Sequence, residues 1–332
     1  MAPEMSPPEQ APDFLAAHGW GGASILPLAG DASFRRYFRV VGDDRQAVLM
    51  DAPPEHEDCR PFLAVAEHLH RIGFAAPEIY AADPARGLVL LEDFGDARMA
   101  EVLAANPALE QPIYRDTIDL LARLHRHPAG TLPPYDMAVL RREADLLVDW
   151  YVPALGLTVD RDGWAAAWEA VLTPLLDQPP VTVLRDYHAE NVMLRGGRDG
   201  LDALGLLDFQ DALAGHPAYD LVSMLQDARR DVPEAIEAEM IERYADAAAL
   251  ADRPGFEAAY AALGAQRNSK ILGIFTRLWK RDGKPRYLSF QPRVWGYLER
   301  DLAHPALAPV ARWFDANLAE DARAAAWAEY VQ

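Results

Sequence analysis

Residues 184–211, LRDYHAENVMLRGGRDGLDALGLLDFQD, constrain this chain more than any other stretch. Asp186 is followed five positions later by Asn191, then by a short apolar run at 192–194. Gly196, Gly197 and Gly200 break the chain, and a second apolar run, 201–207, ends on Asp208. Two apolar runs around a glycine-rich break predict a β-hairpin. Its entrance carries Asp186 and Asn191, and its exit carries Asp208. Asp and Asn are common in loops because their side chains bond the local backbone. A lone pair of them therefore says little. Here they come with Arg185, the hairpin and an acid closing the next strand.

Phosphoryl transfer needs groups of this kind in this order. One carboxylate meets the attacking hydroxyl, while an Asn and a second Asp hold Mg²⁺ against the nucleotide phosphates. The spacing equals that of the catalytic-loop pattern H-R-D-L-x-x-x-N, with Asp208-Phe209-Gln210 where D-F-G would stand. Asp186 is thus the expected catalytic group, and Asn191 and Asp208 the expected metal ligands.

With 332 residues the chain exceeds the size at which a single core usually stops growing, so two lobes are expected. A net charge of −19 argues against nucleic acid and anionic membrane as main partners. Cys59 is alone, which rules out an internal disulfide and suits a reducing compartment. The acidic, Pro-rich start MAPEMSPPEQAPDF lacks the basic and apolar regions of a signal peptide. No window matches a membrane span, and a cytoplasmic protein is expected. The lysines are Lys270, Lys280 and Lys284, so no residue before 270 can serve as an active-site lysine.

The hydropathy pattern predicts a short helix over 8–18 and strands over 24–28, 37–41 and 46–51. The polar loop LAGDASFRR lies between the first two strands. It is either an ordinary turn or a cover over nucleotide phosphates, and it carries no G-x-G-x-x-G. A helical period spans 60–72, with Glu67 on it. Residues 77–82 are extended, and the apolar strand GLVLLE at 87–92 stops at Asp93-Phe94-Gly95-Asp96. Helices are expected at 111–126, 141–151 and 164–176, one starting at 217–220, and others at 234–251, 256–281, 294–302 and 305–318. Strands first and helices after give an α+β chain. Its parts are a small β-rich lobe over 1–92 and a larger helical lobe over 93–332.

The segments LAGDASFRRYFRV, VLLEDFGD, LARLH, LRDYHAENVM, LLDFQD and HPAYDL resemble, in order, the aminoglycoside phosphotransferase and choline kinase superfamily. DASFRRYFRV, LMDAPPEHED and the late KILGIFTRL and VWGYLERDLAHPAL look most like the bacterial N-acetylmuramate/N-acetylglucosamine anomeric kinases of peptidoglycan recycling. The resemblance implies a two-lobed protein-kinase-like fold, with ATP and Mg²⁺ as cofactors. It places Asp186 at the catalytic position and Asn191 and Asp208 at the metal. Glu92 and Phe94 fall at the hinge that meets adenine, and Gly30, Ser33, Arg35 and Arg36 over the phosphates. Asp220 falls behind the catalytic loop. Leu184 replaces the usual His before the catalytic Asp, and Met50 stands where a phosphate-binding Lys would be. Arg35 or Arg36 is the nearest substitute cation, because a guanidinium fork matches phosphate geometry. Glu67, the usual partner of that Lys, is left to pair with one of them.

Other residues carry two readings. Asp149, Trp150 and Tyr151 line a sugar site or pack in a helix core. Asp211 bonds a sugar hydroxyl or turns the chain. His188 supports the catalytic loop, and His125 caps or packs a helix end. Arg267, Lys270, Arg277 and Arg281 fall on one helical face in an otherwise acidic chain. That face is solvated, or its first three cations meet an anionic acceptor group. The expected function is ATP-dependent phosphorylation of the C1 hydroxyl of N-acetylmuramate and N-acetylglucosamine. The alternatives are another small acceptor, such as a choline-like metabolite or an aminoglycoside, or a weakly catalytic binding module. No protein partner is implied.

Overall fold

The computed structural model describes residues 6–30 and 34–324. The chain opens with α1 (Ala11–Ala17), β1 (Ser24–Gly30), β2 (Arg36–Val41), β3 (Gln46–Asp51), α2 (Arg60–Arg71), β4 (Ile79–Asp83) and β5 (Leu88–Glu92). Helices α3 (Met99–Ala105), α4 (Glu110–Leu124), α5 (Met137–Leu146) and α6 (Arg161–Leu172) follow. Next come β6 (Val181–Val183), β7 (Val192–Leu194), β8 (Leu204–Leu206) and β9 (Leu213–Gly215). The remainder is helical: α7 (Ala218–Leu225), α8 (Glu234–Ala247), α9 (Arg253–Lys280), α10 (Gln291–Leu302), α11 (Ala308–Asn317) and α12 (Glu320–Ala324). The chain forms two compact units, Met1–Ala105 with Glu190–Asp211, and Asn106–Ala189 with Ala212–Gln332.

The first unit is built on an antiparallel sheet in the order β1-β2-β3-β5-β4. Strand alternation separates its faces. Phe38, Val40, Ala47, Leu49, Leu88 and Leu90 form one core with Phe14 and Leu15 of α1 and with Trp20. Tyr37, Arg39, Val48, Met50 and Leu91 take the other face. Gly87, in the β4–β5 turn, lies against the end of β3: its φ is +71°, and a Cβ there would lie 1.9 Å from the Ala52 carbonyl oxygen. Only glycine accepts both conditions.

The first compact unit does not stop at the expected lobe boundary of 92. The unit runs on through α3 and takes in the β7–β8 hairpin. The Leu194 N–H donates to Ala97 O at 2.7 Å and the Leu206 N–H to Ala75 O at 2.8 Å. Those backbone bonds tie the hairpin to the strand-rich part of the chain, and sequence distance does not reveal them.

The second unit is organised on α9, which is buried on nearly every side from Phe256 to Leu278. Gly273 lets the chain at Leu146 approach, since a Cβ there would lie 2.3 Å from that backbone. Helix α5 continues from there as a π-helical segment, Leu147–Tyr151. Burial on all sides normally means an apolar helix. Yet α9 carries Gln266, Arg267, Asn268 and Lys270 into the interior, so for Arg267 and Lys270 the solvated-face reading is corrected.

Candidate active site

A pocket of about 550 Å³ lies in the first unit, on the sheet face opposite α1. Val48 and Leu91 give it apolar walls, residues 92–96 border it, and Asn191, Leu207 and Asp208 line it too. Phe94 is held in place from two sides. A Cβ on Gly205 would meet its ring at 2.6 Å, and the Arg195 guanidinium lies 4.7 Å from the ring centroid. Arg195 also bonds the Glu92 carboxylate at 3.0 Å. Arg39, which the motif reading did not single out, holds the same segment through Asp93 and Asp96, each at 2.7 Å. The period of β2 offered a signal, since Arg39 shares a strand face with Tyr37.

Asp208 adopts φ +56°, the left-handed region. Such a conformation in a non-glycine residue persists where its surroundings enforce it. Here Phe209 is wholly buried and stacks on Phe62 of α2 at 5.0 Å, and the Leu207 N–H donates to Asn191 O at 2.9 Å. Asn191 Nδ2 stands 3.4 Å from Asp208 Oδ2, and Gln210 Nε2 donates to Asp208 Oδ1 at 2.8 Å. One carboxylate and one amide oxygen form a hard donor set that suits Mg²⁺, which usually takes few protein ligands and completes its shell with phosphate and water. Among the described residues no cluster of three or more His, Cys, Asp or Glu forms a closed metal cage.

The phosphate side separates the two candidate arginines. Met50, at the position expected for lysine, is 0% exposed and paired in the sheet with Tyr37 and Val89. Arg36 is held by Asp51, its Nε 2.8 Å from Oδ2. The Arg35 side chain is 11% exposed, and its Nη2 lies 3.7 Å from Asp208 Oδ1. Burial disfavours the charge of that guanidinium, but Tyr37, Asp208, Glu57 and Asp211 outweigh burial and raise its pKa. Glu67 is exposed on α2, whereas both arginines engage aspartates, so the expected Glu67–Arg pair is corrected. Gly30 pairs with Arg36 at the end of β1. Ser33 lies outside the described residues. Arg35→Met is expected to raise the KM for ATP about tenfold, the cost of one charge-assisted bond. Arg36→Met should change it far less. Titrating ATP into both variants checks this, and equal, small effects would place the phosphate cation elsewhere.

In the second unit, four hydrogen bonds converge on Leu184 and Arg185, the latter with φ +71°. The Leu184 and Arg185 N–H groups donate to the two oxygens of Asp220 at 2.6 and 2.8 Å. The Arg185 carbonyl accepts from Arg267 Nη1 at 2.9 Å and from Ser223 Oγ at 3.2 Å. This clamp presents Asp186, whose side chain is 38% exposed and stands 3.9 Å from Arg267 Nη2. Burial opposes ionisation of Asp186, but Lys270, Arg267 and Arg185 hold its carboxyl below the usual carboxylate range. Burial pushes the Asp220 carboxyl up to about 7, against the pull of its two backbone donors. His188 is buried, and burial lowers its ring to about 4. His125 is likewise held neutral by burial, with Nδ1 2.7 Å from the Tyr244 hydroxyl.

The three residues expected to line a sugar site differ in exposure. Tyr151 is wholly buried; its ring lies 5.5 Å from that of Trp295, and its hydroxyl donates to the Ala322 carbonyl at 2.9 Å. Its role is therefore corrected to core packing. Asp149 is exposed and pairs with Arg161, while Trp150 is half-buried. Asp211 is exposed at the hairpin's end, next to Gln210. Arg277 is half-buried, and burial together with Arg281 lowers its pKa.

A left-handed Asp lies beside an Asn on one hairpin, and an Asp with a lowered pKa sits on a clamped loop five residues before that Asn, the residue types the phosphotransfer pattern calls for. The chain belongs to the phosphotransferase enzyme family, whose model matches residues 24–261. It is 39% identical to an N-acetylmuramate/N-acetylglucosamine kinase of Caulobacter vibrioides, over 91% of this chain and 94% of that one. It is 41% identical to the protein of the same name from Pseudomonas aeruginosa, over 90% of each chain. Among solved structures, a choline/ethanolamine kinase family protein from Mesorhizobium loti matches with a TM-score of 0.61 at 17% identity, covering 91% of this chain and 96% of that one. An aminoglycoside phosphotransferase solved with ADP matches at 0.57 and 14%, covering 87% and 97%. These neighbours share the two-part α+β fold of small-molecule kinases. No helix among the described residues is long and apolar enough to cross a membrane.

Proposed function

We propose that this protein is an ATP-dependent kinase that phosphorylates the anomeric hydroxyl of N-acetylmuramate and N-acetylglucosamine, in the cytoplasm, during cell-wall sugar recycling. The observation that carries the acceptor is the 41% identity, over nine-tenths of both chains, to a relative named for these two sugars. Asp186 orients the anomeric hydroxyl and accepts its proton. The anomeric hydroxyl is more acidic than the other sugar hydroxyls, so even a weakly basic carboxylate can serve as its proton acceptor. Asn191 and Asp208 would hold Mg²⁺, which supplies charge neutralisation on the phosphate oxygens. Arg35 adds a fixed cation on the same side, and the stack of Phe94, Arg195 and Glu92 keeps the adenine-facing segment in place.

Phosphorus NMR of the products tests this reading. An anomeric phosphate is expected with both sugars. A 6-phosphate would overturn the anomeric assignment. ADP release with choline or kanamycin in place of the sugars would overturn the acceptor.

A further inference from the structure

A buried ionic network lies behind the catalytic loop and is not part of the phosphate or metal chemistry. Its centre is Glu143 on α5, a residue that motif spacing does not single out. Glu143 Oε1 accepts from Lys270 Nζ at 2.9 Å and from Arg185 Nη2. Its other oxygen accepts from the Tyr135 hydroxyl and, at 3.5 Å, from Gln266 Nε2. Glu143 and Lys270 are 5% and 7% exposed. The Tyr219 hydroxyl stands 3.4 Å from both Lys270 Nζ and Arg267 Nη1. Burial opposes ionisation of Glu143, but Lys270 and Arg185 bring its carboxyl down to about 2.

The buried carboxylate of Glu143 and the partly exposed one of Asp186 thus share three cations: Arg185, Arg267 and Lys270. A buried cation without a partner is costly, and it moves to whatever anion it can reach. Lys270 and Arg185 both act on Asp186 through space. Resting on the phosphotransfer reading above, we infer that Glu143 is a positioning residue: it draws Lys270 and Arg185 away from Asp186 and so keeps that carboxylate directed at the acceptor hydroxyl. Arg267 is left to hold the loop through the Arg185 carbonyl. The same arrangement explains why Arg267 and Lys270 are buried, and it assigns them to the catalytic loop instead of an acceptor carboxylate.

The test compares wild type, Glu143→Gln and the double variant Glu143→Gln/Lys270→Met. Gln keeps the shape and loses the charge, and the double variant restores charge balance. Glu143→Gln is expected to lower kcat about tenfold or more, because small misplacements of reacting groups carry costs up to ~10²-fold. The KM for ATP should stay unchanged. The double variant should recover at least about threefold in kcat over the single one, since removing both partners of a buried pair is milder than removing one. Hydrogen exchange at the Leu184 and Arg185 amides should be faster in the single variant and slower again in the double. Wild-type kcat in Glu143→Gln would overturn the inference. So would a double variant no better than the single, with the same Leu184 and Arg185 exchange rates as wild type in both. If the wild type phosphorylates neither sugar, the proposed function falls, and the exchange rates still decide the role of Glu143.

Discussion

Asp186→Asn is expected to lower kcat by roughly 10²-fold or more, the range a positioned general base supplies, while ATP affinity stays near the wild-type value. The loss falls on the chemical step and not on binding. Asn is isosteric with Asp and keeps a hydrogen-bonding oxygen, so the acceptor can still be bound. It cannot take a proton, and it no longer presents negative charge to the hydroxyl. The loop itself should survive, because its left-handed residue is Arg185, held by Asp220, Ser223 and Arg267. Arg267 and Lys270 lose one anion but keep the Arg185 carbonyl and Glu143. ADP-release kinetics and a direct ATP titration separate the two effects. Turnover close to wild type would remove Asp186 from the chemistry.

Asp208→Asn should weaken Mg²⁺-dependent nucleotide binding by about 100-fold or more, since residues one shell further from a metal already cost 10–100-fold. Asn is chosen because it tolerates the left-handed backbone seen at Asp208 (φ +56°). Phe209 remains stacked on Phe62, so the hairpin's exit stays anchored. What changes is one negative charge, shared at present by the expected metal site and Arg35. Calorimetry with and without Mg²⁺ reads the result: the variant should bind ATP with nearly the same affinity in both conditions. Wild-type Mg²⁺ dependence would move the metal away from Asp208.

The proposed chemistry was legible along the chain because its candidate groups are close in sequence. Asp186, Asn191 and Asp208 lie on one loop and one hairpin, where turn residues and apolar runs settle local structure before any tertiary contact forms. The strand-then-helix order, the two-lobed α+β plan and the helical period of α2 and α4 were readable for the same reason. The deficit at Met50 was visible as a missing charge, but its compensation was not. Arg35 and Arg36 are neighbours with identical chemistry, and only the pairing of Arg36 with Asp51 across β2 and β3 tells them apart. Glu143 could at most have been flagged as a carboxylate on the apolar stripe of Leu140, Ala144 and Leu147. Its partners lie 42 and 127 positions away. The basic face of α9 misled for a related reason. Charge at helical spacing normally seeks water, and here tertiary packing surrounds Arg267 and Lys270 with the carboxylates that make their burial tolerable. Local pattern determined which groups are candidates for the chemistry, and long-range burial decided which charges surround them.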